Sequence, residues 1–171
     1  MRRCGECSGR RLRFAKARSA LVYDERARAF VREWKERGRR TLAAKAAELV
    51  LEVVPTPDVE AVTFVPGDPE RALERGHVAP RSLGAELASA WELPFADILR
   101  RERSLPRQRG LTLAERRRNV LDSVSSGTAP PSVVVVDDVY TSGATADACA
   151  AALRRAGGRR VEVVTLARAV R

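Results

Sequence analysis

Two adjacent carboxylates followed at once by a turn of small and hydroxylated residues are the most chemically suggestive feature of this 171-residue chain. They lie in SVVVVDDVYTSGAT, residues 132–145. Once ionised, Asp137 and Asp138 only accept hydrogen bonds, which suits the vicinal hydroxyls of a ribose or the water shell of Mg²⁺. Gly143 takes positive φ without a Cβ penalty, so consecutive backbone N–H groups, that of Ala144 among them, can turn toward one point. Those groups, the hydroxyls of Thr141, Ser142 and Thr145 and the positive end of a following helix would together cradle a phosphate dianion. A phosphate cradle one strand-end from an acidic pair reads as a pocket for ribose 5-phosphate.

The elements around this stretch are those needed to position it. Four consecutive valines, 133–136, read as a strand buried on both faces, as inside a parallel sheet. An alanine-rich helical pattern over 146–156 is stopped by Gly157 and Gly158, and a second strand is expected over 161–166. In such strand–loop–helix–strand units, ligands sit beyond the carboxyl ends of the strands. The competing reading is a plain connection with a solvated acidic pair. It requires two acids, a small-residue turn and a helix start to coincide by accident.

Upstream, a short strand is expected near 20–23, with Asp24 as the N-cap of a helix whose Phe30, Val31 and Trp34 share one face up to Gly38. A second amphipathic helix over 41–54 ends at Pro55 and Pro57. The spacing predicts a strand over 59–65 running into Pro66-Gly67-Asp68-Pro69, then a short helix from Asp68 closed by Gly76. This would place Arg71 and Arg75 just past a strand's carboxyl end; the alternative is two solvated arginines on an exposed helix. A helix over 80–91 and a strand within 94–101 follow. Residues 103–111 are polar and basic with Pro106 and Gly110, Thr112 to Glu115 has capping-box spacing, and a short strand is expected over 120–125.

Composition bounds the answer further. The chain is long enough for one domain with a substantial core, and 44% of it is hydrophobic. No apolar run approaches the about 20 residues needed to span a bilayer, so no membrane insertion is expected. An N-terminal h-region is also missing, which makes the cytoplasm the expected location. The formal net charge is +10, from 32 basic and 22 acidic residues, and only three of the basic ones are lysine. This favours phosphate-bearing partners, although an Arg- and Ala-rich composition also follows from a GC-rich genome. Cys4 and Cys7 form half of a zinc knuckle, whereas structural Zn²⁺ needs four ligands. The other candidates, His77 and Cys149, lie far away in this arrangement, which leaves a remnant, a site shared between subunits, or an upstream start that supplies the missing pair. Residues 1–19 are expected to be an N-terminal extension and 20–171 the main domain.

VVVVDDVYTSGAT resembles the phosphoribosyl pyrophosphate (PRPP) motif of the type I phosphoribosyltransferases. The rest of the chain is similar to one branch of them, the ComF family associated with natural competence and DNA uptake. The supporting residues are Tyr23-Asp24, Trp34-Lys35 and Gly38; Val65-Pro66 through Arg71 and Arg75-Gly76; Gln108, Leu111, Arg116 and Asn119-Val120; and Leu166-Ala167-Arg168. The overlap covers about residues 4–168 and includes the Cys4–Cys7 pair. The resemblance implies an α/β fold with a mainly parallel central sheet flanked by helices, and PRPP with Mg²⁺ as ligand. It implies transfer of a phosphoribosyl group with release of pyrophosphate, Asp137, Asp138, Arg71 and Arg75 being the catalytic candidates. PRPP would be held by Asp137, Asp138 and Thr141 through Thr145. A flexible loop carrying Gln108, Arg109 and Arg116 would close over the site. The alternative it carries is a non-catalytic PRPP or nucleotide sensor, or a protein handling single-stranded DNA beside a competence helicase. Three departures stand out: one cysteine pair instead of two, VPGDP where the family usually has VPVP, and His77-Val78-Ala79 where it has an aromatic residue followed by Asn-Gln. The last two fall where pyrophosphate would bind, so they bear on catalysis more than on recognition.

Overall fold

The computed structural model describes residues 12–35, 37–39, 41–68, 72–73, 76–101 and 123–170. Within them the chain forms β1 (Lys16–Val22), α1 (Glu25–Lys35), α2 (Leu42–Leu51), β2 (Ala61–Phe64), α3 (Ala79–Ala90), β3 (Leu99–Arg101), β4 (Val124–Ser126), β5 (Ser132–Tyr140), α4 (Ala144–Arg155) and β6 (Arg160–Arg168). Four strands make one sheet in the order β1-β6-β5-β2, and every pairing in it is parallel. The register pairs Tyr140 with Arg168 and Val22 with Arg168, so three strands reach their carboxyl ends at one level.

Alternation along β5 and β6 explains the two helical layers. Val134, Val136, Val164 and Leu166 pack against Trp34 of α1, Ala46 and Val50 of α2, and Leu83 and Leu87 of α3. Val133, Val135, Val161 and Val163 face α4 through Ala148, Cys149, Ala152 and Leu153. These strands are therefore apolar on both faces, as the valine run requires. Each fully buried Val or Leu contributes about 1.5–3 kcal/mol. The alanines of α4 let the helix lie close on the sheet.

Local signals set most boundaries. Asp24 caps α1, its Oδ1 accepting the Ala27 N–H at 2.9 Å. The first strand begins at Lys16, ahead of the boundary expected at residue 20, and pairs with β6 along most of its length. A Ser19–Thr165 hydroxyl hydrogen bond of 2.7 Å ties the pair. The strand expected within 94–101 is mostly irregular. Phe95 makes a single bridge to Val62, and only Leu99–Arg101 is a strand, in a separate antiparallel pair with β4. Pro94 has no N–H to donate to a ladder, so that segment touches the sheet and then leaves it. No helix among the described residues is long and apolar enough to cross a membrane.

Candidate functional site

The site is built where β5 runs out. Successive strand residues point to opposite faces, so Asp137 continues the α4 side and Asp138 the side of α1 to α3. Asp138 is only 4% exposed. Its Oδ1 accepts the Val139 N–H at 2.8 Å, and its Oδ2 is in close ionic contact with the Lys35 ammonium at the end of α1. Asp137 is half-buried, with Oδ1 accepting the Asp138 N–H at 2.9 Å. Burial first, and the Asp138 charge second, push the Asp137 carboxyl well above the usual carboxylate range; the Asp138 N–H and Lys35 oppose the shift. The two neighbours thus differ in character: Asp138 is paired with a lysine, and Asp137 is a carboxyl that holds its proton longer.

Residues 141–145 form the turn into α4. Gly143 is buried with φ of 73°, and a Cβ there would collide with the Tyr140 hydroxyl. Only glycine meets both demands. The helix starts at Ala144, two residues earlier than its alanine pattern indicates, because the left-handed glycine is itself the cap. Thr145 therefore rides on the first helical turn. Thr141, Ser142 and Thr145 are exposed, and the Ala144 N–H reaches the Ser142 Oγ at 3.4 Å. The first intrahelical bond is Asp147 N–H to the Gly143 carbonyl, 2.9 Å. Earlier helix amides have no partner within α4, as at any helix start. The Asp147 carboxylate is taken by Arg13, through its N–H and its Nη1, both at 2.7 Å. With that carboxylate paired, the helix end keeps its positive character toward an anion.

A cavity of about 260 Å³ joins these parts. Asp137, Asp138 and Thr145 line it together. So do Lys35, Arg101, the 65–68 segment after β2 and residues 77–80 leading into α3. The acid pair therefore shares a cavity with Thr145 at the carboxyl ends of parallel strands, whereas Thr141, Ser142, Gly143 and Ala144 do not line it. Neither Lys35 nor Arg101 is marked as a cavity residue by its own spacing in the sequence: Lys35 lies 103 positions from Asp138, and Arg101 reads as one of a run of surface arginines. Arg71, Arg75, Gln108, Arg109, Arg116, Cys4 and Cys7 lie outside the described residues. Among the described residues no cluster of His, Cys, Asp or Glu could hold a metal directly. Cys149 is fully buried beneath Asp137, and burial followed by the Asp137 charge pushes its thiol far up, so it is a core residue.

No protein-family model and no curated protein matches the sequence. Solved structures do resemble the fold. One is the allosteric regulatory enzyme of purine biosynthesis, at a TM-score of 0.52 and 22% identity over 74% of this chain and 25% of that chain. The fold is that of the type I phosphoribosyltransferases. Glutamine PRPP amidotransferase from B. subtilis, complexed with ADP and GMP, gives 0.48 and 23% over 75% of this chain and 26% of that one. Orotate phosphoribosyltransferase from Aeropyrum pernix gives 0.46 and 25% over 74% and 60%. The chain spans about a quarter of the length of the first two.

Proposed function

We propose that the chain binds PRPP and transfers its phosphoribosyl group to a nitrogen acceptor, as a member of the ComF branch. One observation carries the reading: a single cavity beyond parallel strand ends gathers the acid pair of β5, Thr145 of α4 and the 65–68 segment. In this reading Thr141, Ser142, Thr145 and the amides from Gly143 onward anchor the 5-phosphate, and Asp137 and Asp138 take the ribose hydroxyls. C1 loses its bond to the pyrophosphate oxygen and gains one to the acceptor nitrogen, whose proton leaves to solvent. The oxocarbenium-like state between is stabilised by the adjacent carboxylates, through positioning and charge rather than covalent attack. When bound, Mg²⁺ supplies charge neutralisation at the leaving group; Asp68, Asp137 and Asp138 on the cavity wall are hard-oxygen acceptors that fit its water shell. Arg71 and Arg75 are the candidates for the leaving group, and Gln108, Arg109 and Arg116 for a closing loop.

Isothermal titration tests binding. Mg²⁺–PRPP binds the wild type, and the Asp138→Asn, Thr145→Ala double change weakens it by roughly a hundredfold or more, since two buried or charge-assisted contacts go together. Following pyrophosphate release with a panel of nucleobases tests turnover. A non-catalytic PRPP sensor is the second reading, favoured by His77-Val78-Ala79 on the cavity wall in place of the family's pattern; it expects tight binding with no release. Salt-steep binding of single-stranded DNA that ignores the double change is the outcome expected of a DNA-handling partner instead.

A further inference from the structure

We propose that Lys35 is a pyrophosphate-binding residue, which exchanges Asp138 for the ligand's leaving group when a ribose hydroxyl takes over at that carboxylate. This rests on the PRPP reading above and adds a residue that the motif does not contain. Lys35 is the last residue of α1, directly after the fully buried Trp34, so the helix end is fixed while the lysine stem leads into the cavity. The two members of the ion pair are unequal. The Asp138 side chain is 5% exposed and the Lys35 side chain 37%, so one is an anchor and the other a movable arm. A lysine is a compact charge on four flexible carbons, suited to moving between acceptors.

Charge count within the cavity favours the exchange. Its described walls carry the carboxylates of Asp68, Asp137 and Asp138 against the cations Lys35 and Arg101. A sugar with a phosphate at one end and a pyrophosphate at the other adds several more negative charges. Every cation on the wall is needed by it. Asp138, for its part, has Oδ1 committed to the Val139 N–H, which leaves Oδ2, the oxygen Lys35 holds, as the main acceptor for a sugar hydroxyl. A hydroxyl arriving there supplies the buried oxygen with a donor and frees the ammonium. Thr145 belongs to α4 and Lys35 to α1, which pack on opposite faces of the sheet, so with the 5-phosphate at Thr145 the ammonium enters the shared cavity from the other side.

The test compares two ligands that differ only in the pyrophosphate. Lys35→Met and Lys35→Arg are titrated with PRPP and with ribose 5-phosphate, both with Mg²⁺, and their melting temperatures are recorded. Lys35→Met should lose PRPP affinity roughly ten- to hundredfold, the size of one charge-assisted contact, with ribose 5-phosphate affinity unchanged or higher. Lys35→Arg should keep most PRPP affinity. Equal losses for both ligands, or no loss for PRPP, overturn the proposal and leave Lys35 as a fixed support for Asp138. A wild type that binds neither ligand overturns the PRPP reading and this one with it; normal wild-type binding with an undiscriminating Lys35→Met overturns this one alone. Should Lys35→Met fail to fold, Lys35→Gln against Lys35→Arg gives the same contrast.

Discussion

Two carboxylates are almost wholly buried in the same sheet, Asp138 at 4% exposure and Glu162 at 1%, and their surroundings differ in kind. Glu162 sits near the amino end of β6 between Lys16 Nζ at 3.0 Å and Arg160 Nη2 at 2.7 Å, and Arg160 also reaches Asp58 at 3.3 Å. Glu162 there has two cations within ion-pair distance, one of them shared with Asp58. At the opposite end of the sheet the order is reversed: Asp137 and Asp138 are adjacent, Lys35 pairs with one of them, and a cavity opens beside them. Burial and repulsion then leave Asp137 reluctant to ionise. The amino end is electrostatically closed and serves folding. The carboxyl end instead sets two adjacent acids against one paired lysine beside an open cavity, a setting suited to a polar ligand.

Changes at each end should have separable effects. Glu162→Gln should have the largest effect on folding, about 2 kcal/mol by urea unfolding. That is less than the usual 3–5 kcal/mol for a broken buried pair, because Lys16 and Arg160 remain partly in water. PRPP affinity should stay within about twofold, the size of an effect transmitted without contact; a large loss of binding would break the comparison. Gly143→Ala should lower stability by about 1–2 kcal/mol for left-handed strain alone, with more from the Tyr140 hydroxyl, and it should weaken PRPP binding because the turn must re-form. Retention of both properties would show that the turn relaxes easily. Asp137→Asn should act most mildly and in the other direction. The folded state holds the Asp137 proton more tightly than the unfolded chain does, so wild-type stability falls as pH rises from the ordinary carboxylate range toward the raised value. The variant should lose that decline and melt roughly 2–4 °C higher at neutral pH, equivalent to about 1 kcal/mol at this length. A wild-type melting profile that rises over that pH window would contradict the assignment.

Much of the carboxyl-terminal half was legible because its signals are local. Four valines, a glycine after small hydroxylated residues and a double glycine gave β5, the turn, α4 and β6 in order, and Asp24 capped α1 as its type predicts. What the letters left out is of two physical kinds. Pairings across long separations, such as Lys35 with Asp138, carry no mark in either segment. Tertiary context also overrode local pattern: Glu162 stands inside an otherwise apolar strand because Lys16 pairs with it from β1, and 94–98 left the sheet despite an apolar look. Asp137, Asp138 and Thr145, singled out by residue type, share one cavity wall. Lys35 and Arg101 were not singled out as cavity cations, since arginines and lysines look alike on any basic surface; Arg71 and Arg75, which were, lie outside the described residues.

The register of β1 carries a further consequence. Its partner among the described strands is β6, and Ser19 meets Thr165 across 146 positions of chain. A ribosome making this protein emits β1 early and β6 much later, so the first strand waits without its ladder while the intervening segments emerge. Contacts of such high order fold slowly and expose strand edges meanwhile. Nascent chains should therefore be protease-sensitive at residues 16–22 until β6 clears the exit tunnel, and then become resistant in one step.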